Sequence, residues 1–339
     1  MTTRRFEALD GMRGIAALAV FGHHLAAARH QTLVFGHAYL AVDFFFMLSG
    51  FVIGAAYEER LAAGLRWTEY MGARLRRLYP MVVAGALIGL LAGAVLRLDV
   101  NLALAFALQL VYVPLVVGRG EAFPLNVAQW SLSVELAVNA LHAAVLPWSS
   151  TRVLAALVAL SAAGLLAVEA AQGDLNVGAT VETLGMGGLR ALFSYFAGVL
   201  IYRLYREGRL PRLKAPFWLA ALVLAVALAA PRPPHAPDVL YVTLLFPLLV
   251  LTGLESQPGR VLRPFAAWSG AVSYPLYAIH MPLVALAAAA TPRDAAAGVR
   301  AAYWGLAVVA ILLLAWAVQR FYDEPVRRGL RARAGAPVA

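Results

Sequence analysis

Arg13 and His24, eleven positions apart in the first apolar run, are the residues whose chemistry most needs an explanation. At about 100° and about 1.5 Å per residue, a helix would set them within roughly 20° of one face and roughly 16 Å apart along its axis. His23 would face elsewhere. An imidazole at that depth is a candidate general base for a hydroxyl proton. Two carboxylates recur in later runs: Asp43 in Val42-Asp43-Phe44-Phe45-Phe46, and Glu135 in Trp130-Ser131-Leu132-Ser133-Val134-Glu135. Each lies about five residues, roughly 8 Å, inside its run, at a level similar to His24. A histidine and two carboxylates in hydrocarbon need one another, water or a substrate to offset desolvation. The expectation is a catalytic set of His24, Asp43 and Glu135, with a carboxylate orienting the ring. A structural cluster tying helices together is the other reading.

Ser273, Tyr274, Tyr277 and His280 add polar groups to one later run, although Ser-Tyr-Pro-Leu-Tyr also reads as a hydrogen-bonded kink around Pro275. Arg74 and Arg77, in Arg74-Leu75-Arg76-Arg77-Leu78-Tyr79-Pro80, are expected in the loop before a span. Their planar forks match phosphate oxygens, so an anion site is one reading; orientation of the chain or contact with anionic lipid is the other. Tyr322-Asp323-Glu324-Pro325 is expected to end the last helix at Pro325, its acidic pair neutralising the arginines. No nucleophile elbow, phosphate loop or zinc motif is present. His30, His37, His142 and His235 lack ligand spacing and read as surface or packing residues, so no metal is expected. The absence of cysteine removes thiol chemistry and disulfides.

The elements that must position these groups follow from composition. Of 339 residues, 62% are hydrophobic and 14% charged, against about 45–50% and about 25% in soluble domains. That excludes a soluble or disordered chain. Helix-length apolar runs without strand alternation point to an all-α, polytopic membrane bundle. Ten spans are expected: 14–28, 38–57, 80–97, 129–147, 152–170, 188–205, 216–230, 239–254, 270–290 and 300–321. The first ends in Ala26-Ala27-Ala28, which loosely imitates a signal-peptide site, but Glu7, Asp10 and the His23-His24 pair argue for a retained helix. Segment 101–117 is long enough to cross but carries Asn101, Gln109 and Pro114. Leaving it re-entrant or on the outer surface puts most of the 28 basic residues, and both termini, on the cytoplasmic side. These basic residues, all arginine except Lys214, sit between apolar runs, which argues for topology rather than nucleic acid. One bundle over 1–325 and a short basic cytoplasmic tail, 326–339, are expected.

Taken together, Leu9-Asp10-Gly11-Met12-Arg13-Gly14-Ile15-Ala16-Ala17 with His24, Val42-Asp43-Phe44-Phe45-Phe46-Met47-Leu48-Ser49-Gly50-Phe51, the arginine segment, Trp130 to Glu135, and Ser273-Tyr274-Pro275-Leu276-Tyr277-Ala278-Ile279-His280 resemble the integral-membrane acyltransferase-3 family over nearly the whole chain. Members of that family O-acylate bacterial surface polysaccharides, lipopolysaccharide, peptidoglycan, secreted glycans and some macrolides. The resemblance implies that His24 is the catalytic histidine and that Arg74 and Arg77 hold the acyl donor at the cytoplasmic face. Asp43, Ser133, Glu135 and His280 match motif positions. Leu136-Ala137-Val138 departs from the acidic-polar-aromatic continuation of many members.

The combined expectation is a multi-pass enzyme of the bacterial inner membrane. Acyl-CoA, most simply acetyl-CoA, would dock on Arg13, Arg74 and Arg77. His24 would act as base or briefly carry the acyl group. A carbohydrate or other hydroxyl acceptor would enter from outside, with Ser133, Tyr277 and His280 as substrate contacts. A secondary transporter or lipid or glycan flippase would also explain buried charge, but no inverted repeat is apparent. Acceptor identity, acyl chain length and oligomeric state are not fixed by the sequence.

Overall fold

The computed structural model describes residues 6–31, 34–116, 119–145, 149–232 and 237–333. His235, the segment ends at 117 and 146–147, and tail residues 334–339 lie outside them. Apart from one isolated bridge between Glu121 and Thr180, the described residues form helices and connecting turns. Seven helical stretches are long and apolar enough to cross a membrane: Ala38–Ala62, Trp67–Leu96, Thr151–Gln172, Leu184–Arg206, Asp238–Glu255, Arg263–Ala289 and Ala297–Ala332. The other three expected spans are also helical: α1 (Glu7–Ala28), α5 (Gln129–Val145) and α8 (Phe217–Ala229). Of these three, α8 is a shorter apolar helix of 13 residues.

The remaining elements are α2 (Ala41–Ala62), entered through a 3-10 turn, α3 (Trp67–Leu96), α4 (Leu102–Leu110), α6 (Thr151–Gln172) and α7 (Leu184–Arg206). They are followed by α9 (Asp238–Leu240), which runs through a π turn into α10 (Phe246–Glu255), then α11 (Arg263–Ala289), α12 (Ala297–Val318) and α13 (Glu324–Arg333). With nine residues, α4 is about 14 Å long, half the roughly 30 Å of a hydrocarbon core. The described part of that segment, 101–116, thus contains no helix long enough to cross, in line with its polar residues.

Two expectations about helix ends are corrected. Arg74 and Arg77 are not in a loop: α3 starts at Trp67 and carries Pro80 in its interior. A proline is at home in a first turn, which is why Pro80 looked like a start. Nor does Pro325 stop the last helix, because a π turn, Gln319–Asp323, joins α12 to α13. Its longer backbone ring precedes a residue that has no N–H to give.

The core is built around α1, which packs along α11 and also touches α2 and α8; α2 lies along α7, and α3 bridges α11 and α5. Proline in α11 frees a backbone carbonyl that the segment before α5 closes. Pro282 cannot donate to Ala278, and the Asn126 side-chain amide donates to that carbonyl instead, at 2.7 Å.

Candidate functional site

The seam between α1 and α11 positions both chemical ends of the site. A methyl group added at Gly14 would overlap Ser269, side chain and backbone alike. Small residues therefore let the two helices approach closely, as in other membrane bundles. The helices run the same way, so Arg13 meets the first half of α11 and His24 the second. Arg13 donates to the Gly270 carbonyl at 2.8 Å and the Ser273 hydroxyl at 3.0 Å, and pairs with Asp10 at 3.1 Å.

Further along, Nε2 of His280 lies 3.0 Å from Nδ1 of His24. The other nitrogen of His280, Nδ1, faces the carbonyls of Tyr277 at 2.9 Å and Leu276 at 3.2 Å. Carbonyl oxygens only accept, so Nδ1 of His280 carries the proton and its Nε2 is the acceptor. His24 must then donate from Nδ1, and in a neutral ring its Nε2 is left as the basic nitrogen. His280 is fully buried, and His24 is partly accessible. His23 turns away and donates to the Phe35 carbonyl at 2.9 Å.

The expected orienting carboxylates are elsewhere. Asp43 is fully buried, held by Arg190 at 2.5 Å and receiving a hydrogen bond from Ser194 at 3.3 Å. Arg190 also donates to the carbonyls of Val177 and Tyr39. This closed set joins α2 to α7 and makes no hydrogen bond to His24. Glu135 accepts from Ser49 at 2.7 Å and from Arg74 at 3.3 Å, so it belongs to the arginine end. Residue counting gives depth along a helix but not the neighbour a side chain faces: Asp43 meets Arg190 of α7, and Glu135 meets Arg74 of α3.

A cavity of about 180 Å³ opens between α1, α2, α3, α5 and α11. Arg13, Arg74 and Arg77 line one part of it together with Glu135, Ser49 and Tyr274; Ser131 and Tyr277 line another, with Val42, Phe45 and Leu132 as apolar wall. Nε of Arg74 and one terminal nitrogen of Arg77 are buried without a hydrogen-bond partner among the described residues. Unmet buried guanidinium donors mark a place for an anion. Arg77 also lies over the ring of Tyr274, 5.4 Å from its centroid. His24 and His280 do not line the cavity. Tyr277 does, its hydroxyl 2.6 Å from that of Ser131 and its ring centroid 5.7 Å from that of His280. Ser133 does not line the cavity, and its hydroxyl is buried without a partner.

Of the expected site residues, the structure gathers Arg13, Arg74, Arg77, Glu135 and Tyr277 around one cavity and sets His280 and His24 beyond Tyr277. Asp43 and Ser133 stand apart. Sequence reasoning gave no role to Arg190 or Ser49. Arg190 carried a usable signal as a charged residue within an apolar run; Ser49 lies in the Val42 to Phe51 piece that carries the resemblance. His142, expected on the surface or in packing, is buried with Nδ1 2.9 Å from the Tyr195 hydroxyl. No group of three or more His, Asp or Glu side chains among the described residues is placed to hold a metal ion.

Buried guanidinium donors at one end and a pair of imidazoles at the other thus share one helical bundle. The model of the acyltransferase domain family Acyl_transf_3 matches residues 6–320, and the chain belongs to that family. It is also similar to a protein of Rhizobium radiobacter named "Protein 2 in picA locus", 35% identical over 164 residues, which cover 41% of this chain and 81% of the relative. No solved structure matches.

Proposed function

We propose that the protein moves an acyl group, in the simplest case acetyl, from cytoplasmic acyl-CoA to a hydroxyl of a carbohydrate or related acceptor on the outer side of the bacterial inner membrane. Both termini then lie in the cytoplasm, the orientation favoured by the arginine distribution. The observation that carries this reading is the single line of contacts from the unmet guanidinium donors of Arg74 and Arg77, through the cavity, to Tyr277, His280 and His24.

In this reading, Arg74 and Arg77, with Arg13 beside them, hold the donor phosphates. Glu135 fixes Arg74 from one side and leaves its Nε for the ligand. The thioester points along the cavity toward Tyr277. Nε2 of His24 takes the proton of the acceptor hydroxyl while its oxygen attacks the thioester carbonyl. The carbon–sulfur bond breaks, and the leaving thiolate recovers the proton from His24, giving ester and free thiol. His280 keeps Nδ1 of His24 protonated, so the basic nitrogen faces the substrate.

The test is transfer from radiolabelled acetyl-CoA by the full chain in proteoliposomes, together with mass spectrometry of surface glycans in cells with and without the protein. His24→Ala should abolish transfer and remove one acyl mass from the glycan spectrum while leaving a monodisperse protein. Full transfer by that variant would overturn the assignment.

A further inference from the structure

Beyond the last turns of α1 and α11, past His24 and His280, lies a groove of about 780 Å³. Ala28, one turn after His24, and Ala288, two turns after His280, form part of its wall. Three arginines converge on it: Arg29 from the end of α1, Arg293 from the connection after α11, and Arg300 from the first turn of α12. Trp304 backs the groove, with the Arg29 guanidinium 6.0 Å from its ring centroid. Arg300 donates to the Ala295 carbonyl at 2.6 Å and thereby folds the Arg293 connection onto the groove.

The placement is electrostatically unfavourable unless it has a use. In the proposed topology this is the outer side, where arginine is disfavoured. Arg300 also sits at a helix N-terminus, where the backbone dipole opposes a cation. At this end of the bundle Arg190 is matched by Asp43 and Arg232 by Asp174, at 2.5 and 2.6 Å. Arg29, Arg293 and Arg300 have no carboxylate partner among the described residues, and neighbouring Asp294 pairs with none of them. Three unmatched guanidinium groups beside an aromatic ring, one helical turn beyond the candidate base, suit a polyhydroxylated anion.

We propose that this groove seats the acceptor, and that the acceptor is an anionic glycan bearing a carboxylate or phosphate near the hydroxyl to be acylated. The proposal rests on the acyl-transfer reading and supplies its acceptor class. Guanidinium forks would bind the anionic group, and the sugar hydroxyls would then point down the seam toward Nε2 of His24.

The test uses the full chain in nanodiscs of zwitterionic lipid, titrated with fluorescent hyaluronan hexasaccharide as the anionic probe and maltohexaose as the neutral one. The anionic probe should bind at least about tenfold more tightly, and Arg29→Gln/Arg293→Gln should remove most of that advantage. The charge-matched variant Arg209→Gln/Arg212→Gln, at the opposite end of the bundle, should bind like the parent. Melting temperature and elution volume check that each variant is folded. Equal binding of the two probes, or loss of binding in the opposite-end variant, overturns the proposal. So does an effect of Arg29 and Arg293 confined to retention of phosphatidylglycerol, which would assign the groove to lipid headgroups. Oligosaccharide binding is read without turnover, so absence of His24-dependent transfer from acetyl-CoA would sink the enzymatic reading separately.

Discussion

Nδ1 of His24 and Nε2 of His280 face each other at 3.0 Å, and the backbone carbonyls around the other nitrogen of His280 decide which of the two rings donates. A neutral imidazole here takes the place that a carboxylate holds in the familiar relay. His280→Ala should therefore lower kcat for acyl transfer by roughly 10²- to 10⁴-fold, with little change in KM for the donor. His280→Gln offers a side-chain carbonyl to Nδ1–H of His24 and should recover part of the rate. Steady-state kinetics separates this from a substrate contact, which would raise KM for the acceptor and leave kcat nearly intact.

Arg74 and Arg77 occupy one stripe of α3, three residues apart, each with a buried donor that has no partner. Arg74→Gln or Arg77→Gln should raise KM for acyl-CoA by about 10- to 100-fold. Lysine should not restore the parent value, because a point charge cannot reproduce the fork. Acyl-pantetheine, which lacks the nucleotide phosphates, should be used equally by parent and variants. A parallel loss with acyl-pantetheine would remove the phosphate role.

Asp43 and Arg190 form a fully buried pair 147 residues apart in sequence. Asp43→Asn leaves a buried guanidinium without its counter-charge and should cost about 3–5 kcal/mol of stability. Asp43→Leu combined with Arg190→Met removes both charges and should return most of it. Thermal unfolding in detergent measures both. If Asp43 took part in the proton transfer, the double variant would be stable and inactive; a structural pair predicts activity that follows the folded fraction.

The legible part of this chain was whatever depends on local pattern. Among the described residues each of the ten apolar runs is helical, because burying a backbone in lipid leaves few other solutions, and the charge balance that kept 101–117 out of the spans agrees with the nine residues of α4. Helix starts were less legible. The charged first turns of α3 and α11 look like loops in a hydropathy reading, so Arg74 and Arg77 were placed off the helix that aims them. Partners distant in sequence were not legible at all. Asp43 and His24 each lie in an informative motif, yet their partners, Arg190 and His280, are set by packing of α7 on α2 and α11 on α1. No spacing within a motif reports that.

His37, at the mouth of the 3-10 turn before α2, is buried, stacked on Tyr241 and 4.0 Å from Asp238. Burial holds its pKa below the ordinary 6.5, against the pull of Asp238. Its neutral form therefore contributes stability that is fully present above pH 6.5 and is lost as the pH falls toward the lowered value. The melting temperature of the parent should drop between neutral and mildly acidic pH, and His37→Phe should flatten that part of the curve. Parallel curves for the two proteins would exclude His37 as the titrating group.

Gly14 tests whether the α1–α11 seam, rather than any single side chain, holds the two ends of the site in register. A methyl group there meets the side chain and backbone of Ser269, so Gly14→Ala must push the helices apart. Overpacking of this kind costs about 1–3 kcal/mol. The more telling effect is on activity, because the same displacement lengthens both the Arg13–Ser273 contact at 3.0 Å and the His24–His280 contact at 3.0 Å. Gly14→Ala should thus raise KM for the donor and lower kcat together, unlike a change at either end alone. Adding Ser269→Gly removes part of the overlap and should restore both parameters in the same proportion. Recovery of only one would mean that the two ends are positioned independently.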